Sequence, residues 1–292
     1  MKKLIYFLLI SAAALACKNN NDKADAYGNF EATEIVVSAM AQGELLKFDV
    51  EEGDILAKHT KLGLVDTVDL HLKKLQLKKT KEAVRTGLVT IDAQIKVQLQ
   101  QKKNMTVDQQ RLEKLVKEGA ATRKQLDDIN GAIDLVDAQL AATKSQKQKI
   151  MAEIETLKVQ SAQIDEALSK CVVKSPSSGT VLTKYAEVGE VVAPGKPLFK
   201  IADMDQLKLK VYVSGDQLPH IKIGQEVEVQ IDETKKENRI MKGIVSWISS
   251  TAEFTPKTIQ TKEERVNLVY AVKVRVNNDG SLKIGMPGEI NF

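Results

Sequence analysis

Aromatic residues make up only 4% of this 292-residue chain, a dilution that long helices built from Leu, Ala, Lys, Gln and Glu would produce. Histidine occurs three times, at His59, His71 and His220, with no spacing that would make a metal site. The methionines outside the N-terminal segment, at 40, 105, 151, 204, 241 and 286, are scattered, which gives soft-metal chelation little support. No GxxxxGK[ST] loop is present to cradle a nucleotide. No Ser-His-Asp or Cys-His arrangement occurs, and no paired carboxylates stand out from the helix charges. The chain is therefore not expected to be an enzyme or to hold a cofactor. The net charge is only +4, and no basic stretch is interleaved with aromatics, which argues against nucleic acid as a partner. What remains is an ordinary apolar fraction of 43%, enough for a folded protein of two or three domains.

The two cysteines, Cys17 and Cys171, have different settings. Lys2 and Lys3 precede an apolar run from Leu4 to Ala16. That run is too short to span a bilayer, which takes roughly 20 apolar residues. It ends in Ala14-Leu15-Ala16-Cys17, followed by a polar stretch from Lys18 to Lys23. This resembles a bacterial lipoprotein signal with Cys17 as the lipidated first residue and a tether behind it. Ala14 stands where such signals usually carry Leu, and an ordinary secretory signal with a chance cysteine is the alternative. Cys171 has no partner in the mature chain and begins an apolar strand, so it reads as a small buried residue.

An internal repeat is interrupted. Gly43-Glu44-Leu45-Leu46-Lys47-Phe48-Asp49-Val50-Glu51-Glu52-Gly53-Asp54-Ile55-Leu56 is matched by Gly179-Thr180-Val181-Leu182-Thr183-Lys184-Tyr185-Ala186-Glu187-Val188-Gly189-Glu190-Val191-Val192. Leu62 and Leu198 fall at the same offset beyond each copy. Short alternating runs punctuated by Gly indicate strands and turns. Two such half-units suggest one small β-sandwich with an internal pseudo-twofold, and the spacing resembles a biotinyl/lipoyl domain.

Between the halves, from Val68 to Lys170, there is no proline. A mostly apolar ladder advances in alternating steps of four and three, first from Val84 to Val116 through Gln98, Lys102 and Gln109, and again from Leu126 to Leu168 through Thr143, Lys147 and Ser161. So long a ladder predicts a coiled coil. Gly119 fits a left-handed helix end, and Thr122 with Gln125 fits a capping box that starts a second helix. The two helices must turn back on each other, giving an antiparallel hairpin of roughly 65–70 Å. In the expected register, opposing residue numbers sum to about 242, which sets Gln98 and Lys102 against Thr143 and Leu140, and Lys147 against Ile95. Polar seam residues would then coincide at mid-height, as a softer zone or as stems that snorkel outward.

A split lipoyl domain with an α-hairpin between its halves resembles the HlyD-type membrane fusion proteins, the periplasmic adaptors. The likeness runs from about Gly28 to Phe292. Members that meet TolC-like outer-membrane channels carry a tip pattern, matched here by Arg111-Leu112, Leu115, Thr122 and Leu126-Asp127. Ile129 and Val136 depart from it, since the family has small residues there. The resemblance implies that these tip residues contact the channel. On physical grounds Arg111 offers a fork of donors and Leu115 offers apolar area, although a solvated charge and a seam residue would look the same.

From Leu207 onward, alternating runs such as Leu207–Val213, Gln225–Ile231 and Tyr270–Val276 predict a small barrel. Strand residues Asn29 to Val37 are expected to return to its end. The segments Ala252–Lys257 and Gly285–Gly288 look most like adaptors of ABC-type exporters. The expected class is α+β: a long antiparallel coiled-coil hairpin inserted between two halves of a lipoyl-like β-sandwich, followed by a small β-barrel. The expected boundaries are signal 1–17, tether 18–28, first lipoyl half with its N-terminal strand 29–67, hairpin 68–170, second half 171–206 and barrel 207–292. The resemblance implies a periplasmic protein, lipid-anchored to the inner membrane. It would link an inner-membrane exporter, ABC-type, to a TolC-like channel, and several copies, a hexamer in the family, would form the conduit. A biotin or lipoate carrier, a structural coiled-coil lipoprotein, and an adaptor of an RND-type or metal efflux pump are the alternatives.

Overall fold

A computed structural model describes residues 24–233, 238–254 and 268–292. The signal segment with Cys17, most of the tether, and the stretch from Thr255 to Lys257 lie outside the described residues.

Two small sheets build the sandwich. One is ordered β2 (Glu34–Ser38), β9 (Pro197–Ala202), β7 (Gly179–Lys184) and β4 (Ile55–Leu56). The other is ordered β6 (Val172–Lys174), β5 (Lys61–Val65), β3 (Gly43–Phe48) and β8 (Val191–Val192). The repeat in the sequence becomes a swap of strands. Ile55 and Leu56 pair with Thr180 and Gly179, while Val191 and Val192 pair with Glu44 and Gly43. The connecting hydrogen bonds are reciprocal. Gly53 N–H donates to the Val181 carbonyl at 2.9 Å, and Gly189 N–H donates to the Leu45 carbonyl at 2.9 Å. Gly53 and Gly189 take the same left-handed conformation, with φ 94° and 90°, which a side chain would disfavour. Neither half can complete its sheets alone, because each borrows a strand from the other. Leu45, Leu62, Val181, Leu198, Phe199 and Ile201 fill the shared core.

The insert forms α1 (Val68–Lys117) and α2 (Arg123–Lys170). With no proline to remove a backbone donor, α1 runs unbroken for 50 residues, about 75 Å at 1.5 Å per residue. Asp66 accepts the Val68 N–H at 2.9 Å and starts it. Four polar pairs bridge the helices: Lys74 with Asp165, Asp92 with Lys147, Lys102 with Asp137, and Gln109 with Asn130. They share one register, with residue numbers adding to 239 each time. The expected total of about 242 is corrected, because the chain reverses around Ala120, midway between the last residue of α1 and the first of α2. Lys102 and Lys147 therefore reach carboxylates rather than Leu140 and Ile95.

The barrel is a six-stranded ring of β10 (Gln206–Ser214), β1 (Ala26–Glu31), β15 (Pro287–Asn291), β11 (Glu226–Asp232), β12 (Asn238–Ile248) and β14 (Leu268–Asn277). It closes where β10 pairs with β14, and a short β13 (Glu253–Phe254) adds to β14. Alternation points Leu207, Leu209, Val211, Val213, Val272, Val274 and Val276 inward. β1 begins at Ala26, inside the stretch expected to be tether. Ala26 and Phe30 are buried in the barrel core, and that burial holds the strand there. Of the expected return from Asn29 to Val37, only the part in β1 joins the barrel. β2 turns away to pair with β9 in the sandwich.

Candidate functional site

The end of the hairpin furthest from both β-domains is built by a helix stop and a helix start with five residues between them. Gly119 adopts φ 76° directly after the last turn of α1, and Glu118 N–H closes that turn on the Lys114 carbonyl at 3.0 Å. Thr122 then opens α2. Its hydroxyl oxygen accepts the Gln125 N–H at 3.3 Å, while Gln125 Oε1 accepts the Thr122 N–H at 2.9 Å. The capping box expected from the sequence is thus formed.

Arg111 stands on the outer side of α1 near this turn. Its side chain is 73% exposed and held by Asp108 one turn back at 3.2 Å. That contact leaves most of the guanidinium donors facing solvent. Leu115 is exposed at 40%. Its carbonyl accepts the Ala120 N–H at 2.8 Å, so the backbone beneath it is tied to the turn. Leu112 and Leu126 are half-buried on the seam, and Asp127 and Thr122 are exposed. The structure therefore brings all six tip residues within a few turns of the reversal but gives them different duties. Arg111, Leu115 and Asp127 offer free surface, Leu112 and Leu126 hold the helices together, and the Thr122 hydroxyl is engaged in starting α2.

Further down the hairpin, Val136, Leu140 and Thr143 are almost fully buried. Mid-height thus holds most of the fully buried residues of α2. Lys102 and Lys147 snorkel to Asp137 at 2.6 Å and Asp92 at 2.7 Å, and Thr143 bonds the Gln139 carbonyl at 2.9 Å. Gln98 Oε1 alone is enclosed without a partner among the described residues. At the base a groove of about 530 Å³ runs between Leu77 and Ile164. That groove follows the coil surface and converges on no titratable cluster. Among the described residues no group of His, Cys, Asp and Glu could hold a metal ion, and no helix is long and apolar enough to cross a membrane.

Cys171 closes α2 and is 1% exposed. Burial pushes its thiol up from the ordinary range, with a smaller contribution from Asp66. It packs in the sandwich core as expected.

The C-terminal third matches the family described as LcnD-like, C-terminal domain, over residues 203–291. The chain is 25% identical over 300 residues to a UPF0194 membrane protein of Yersinia pseudotuberculosis serotype O:3 (strain YPIII), an alignment covering 94% of this chain and 91% of the relative. It is 28% identical over 296 residues to a UPF0194 membrane protein of Acidithiobacillus ferridurans, covering 91% and 86%. Its fold is similar to MacA from Actinobacillus actinomycetemcomitans, with a TM-score of 0.52 at 20% identity, covering 91% of this chain and 76% of that one. It is likewise similar to the membrane fusion protein Spr0693 from Streptococcus pneumoniae R6, with a TM-score of 0.51 at 17% identity, covering 91% and 96%. Along nearly its whole length the chain is thus similar to UPF0194 membrane proteins, its residues 203–291 match the LcnD-like C-terminal domain, and its hairpin-in-sandwich fold is similar to that of the membrane fusion protein Spr0693.

Proposed function

We propose that this chain works as a passive link in an export machine, joining an ABC-type exporter in the inner membrane to a TolC-like channel in the outer membrane. The observation that carries the reading is the hairpin: two helices about 75 Å long ending in an exposed Arg111 and Leu115 and rooted in a sandwich that neither half can form alone. Such a rod serves reach rather than chemistry. The Arg111 fork suits carbonyls or carboxylates of a helical partner, and Leu115 supplies the apolar area beside it. Lipid on Cys17 would hold the other end at the inner membrane, since Ala26 enters the barrel only nine residues later, a reach of at most about 30 Å. One hairpin encloses no pore, so several copies, six on this reading, would stand side by side.

Replacing Arg111 by Glu tests the tip. Export by intact cells should be lost, while the purified variant keeps the helix signal and melting temperature of the parent. Normal export by the variant would remove Arg111 from the contact.

A further inference from the structure

The outer wall of the barrel is charged in opposite senses on opposite sides. On the adjacent strands β10 and β14, Lys208 lies directly across from Arg275, and Lys210 directly across from Lys273. Like charges facing each other across a strand pair cost stability, and two successive pairs is an arrangement that folding alone disfavours. Two carboxylates relieve it in part: Glu253 reaches Lys210 at 3.5 Å and Glu31 reaches Lys273 at 3.6 Å. Among the described residues Lys208 donates to the Thr33 hydroxyl, at 3.2 Å, and faces Glu31 across the β1 pairing without an ion pair. Lys208 and Arg275 form no ion pair with any described residue, and Arg275 is exposed.

The strands diametrically opposite in the six-membered ring are β15 and β11, separated from the basic pair by β1 on one side and β12 on the other. Their outward positions carry Glu289, Glu226 and Glu228, and none of these pairs with a cation among the described residues. Lys242 stands across from Glu228 on β12 but does not reach it within ion-pair distance.

We propose that the basic wall of β10 and β14 docks against the acidic wall of β11 and β15 in a second copy of this chain, head to tail. Each copy then offers one wall to the neighbour on either side. A heterologous contact of this kind propagates in one direction and closes into a ring when the rotation permits. Arg275 supplies a planar fork for a carboxylate, and Lys208 supplies a mobile point charge. The like-charge strand pairs, a cost in the isolated barrel, are relieved by the neighbour's carboxylates. This rests on the side-by-side assembly proposed above and assigns it a surface and a polarity.

Zero-length cross-linking of the full-length protein in its native membranes, by carbodiimide followed by peptide mass spectrometry, reads this contact. A Lys208 amide to Glu226 or Glu228 can form only between copies, because the barrel core stands between the two walls of one copy. That link is the expected result. The paired reversal of Lys208→Glu with Arg275→Glu should abolish it and weaken association in analytical ultracentrifugation by about tenfold. Adding Glu226→Lys and Glu228→Lys to the same chain should restore association, because the charges at the cross-linked contact are then exchanged. These are surface positions, so unchanged circular dichroism separates loss of contact from loss of fold. Intermolecular links through the hairpins alone would overturn the wall contact while leaving assembly intact. A basic wall that binds phosphatidylglycerol vesicles but never links to the acidic wall would overturn it in favour of lipid.

Discussion

Gly179 and Gly189 occupy the same repeat unit, yet substitutions there should differ sharply. A Cβ on Gly179 would lie 2.4 Å from the Ala202 carbonyl oxygen on β9, whereas a Cβ on Gly189 would meet nothing within 4 Å. Gly179→Ala must push two paired strands apart and is expected to cost more than about 3 kcal/mol. Gly189→Ala carries only the left-handed backbone penalty, about 1 kcal/mol. Urea denaturation of both variants checks the order, and equal costs would show that β7 and β9 are less closely paired than described. His59 has φ 67° at the repeat position where Gly195 stands with φ 93°. His tolerates that region less readily than Gly, so nothing in the sequence signals that both positions turn left-handed. Cys171 makes a further residue-scale test. Its raised thiol pKa means the folded state holds the proton longer than the unfolded chain. The stability this contributes is complete below about pH 9 and declines as pH rises above it. A maleimide should therefore leave the native protein unmodified at neutral pH and label it on unfolding. Rapid native labelling would contradict the burial.

At the scale of elements, the hairpin was legible because its signals are local: a ladder of apolar steps, no proline, and a stop and start at Gly119 and Thr122. Its register was not legible to better than a turn. Nothing in the ladder says how many residues the reversal consumes, and a shift of three keeps apolar positions facing apolar positions. The correct pairs are fixed by Lys102 with Asp137 and by Gln109 with Asn130, whose polar reach no periodicity reports. Two substitutions follow from this geometry. Thr122→Ala removes one side of the capping box and should lower stability by about 1 kcal/mol, with exchange of amides near the start of α2 accelerating first. Gln98→Leu replaces an enclosed oxygen that lacks a partner and should stabilise the hairpin by about 1–2 kcal/mol. A destabilised Gln98→Leu protein would mean that the Gln98 oxygen is satisfied in solution. Hydrogen exchange should also be slowest around Val136, Leu140 and Thr143, the best-buried stretch of α2.

For the whole molecule, the sandwich was foreshadowed by the repeat, but the strand swap between its halves was not, because pairing partners lie 125 residues apart in the case of Ile55 and Thr180. A still longer separation along the chain explains the misjudged start of β1. Ala26 looks like tether locally, and only its pairing with Ile290 near the far end of the chain draws it into the barrel. The tip residues were found through a family pattern, while their division of labour came from burial and hydrogen bonding, as with the engaged hydroxyl of Thr122. The barrel walls carried no sequence signal at all. Lys208, Lys210, Lys273 and Arg275 read as ordinary alternating strand charges until closure sets β10 beside β14. The functional design that emerges is a rod held at its root by an inseparable two-part sandwich and bounded below by a polar barrel.

The most direct test of this design is an affinity pull-down of the tagged protein from cross-linked, detergent-solubilised native membranes, read by mass spectrometry, with the Arg111→Glu variant in parallel. The parent should recover an inner-membrane exporter subunit together with an outer-membrane channel, and the variant should keep the exporter and lose the channel. Recovery of neither partner by a folded, efficiently cross-linked parent would contradict the design and leave a structural coiled-coil protein of the envelope in its place.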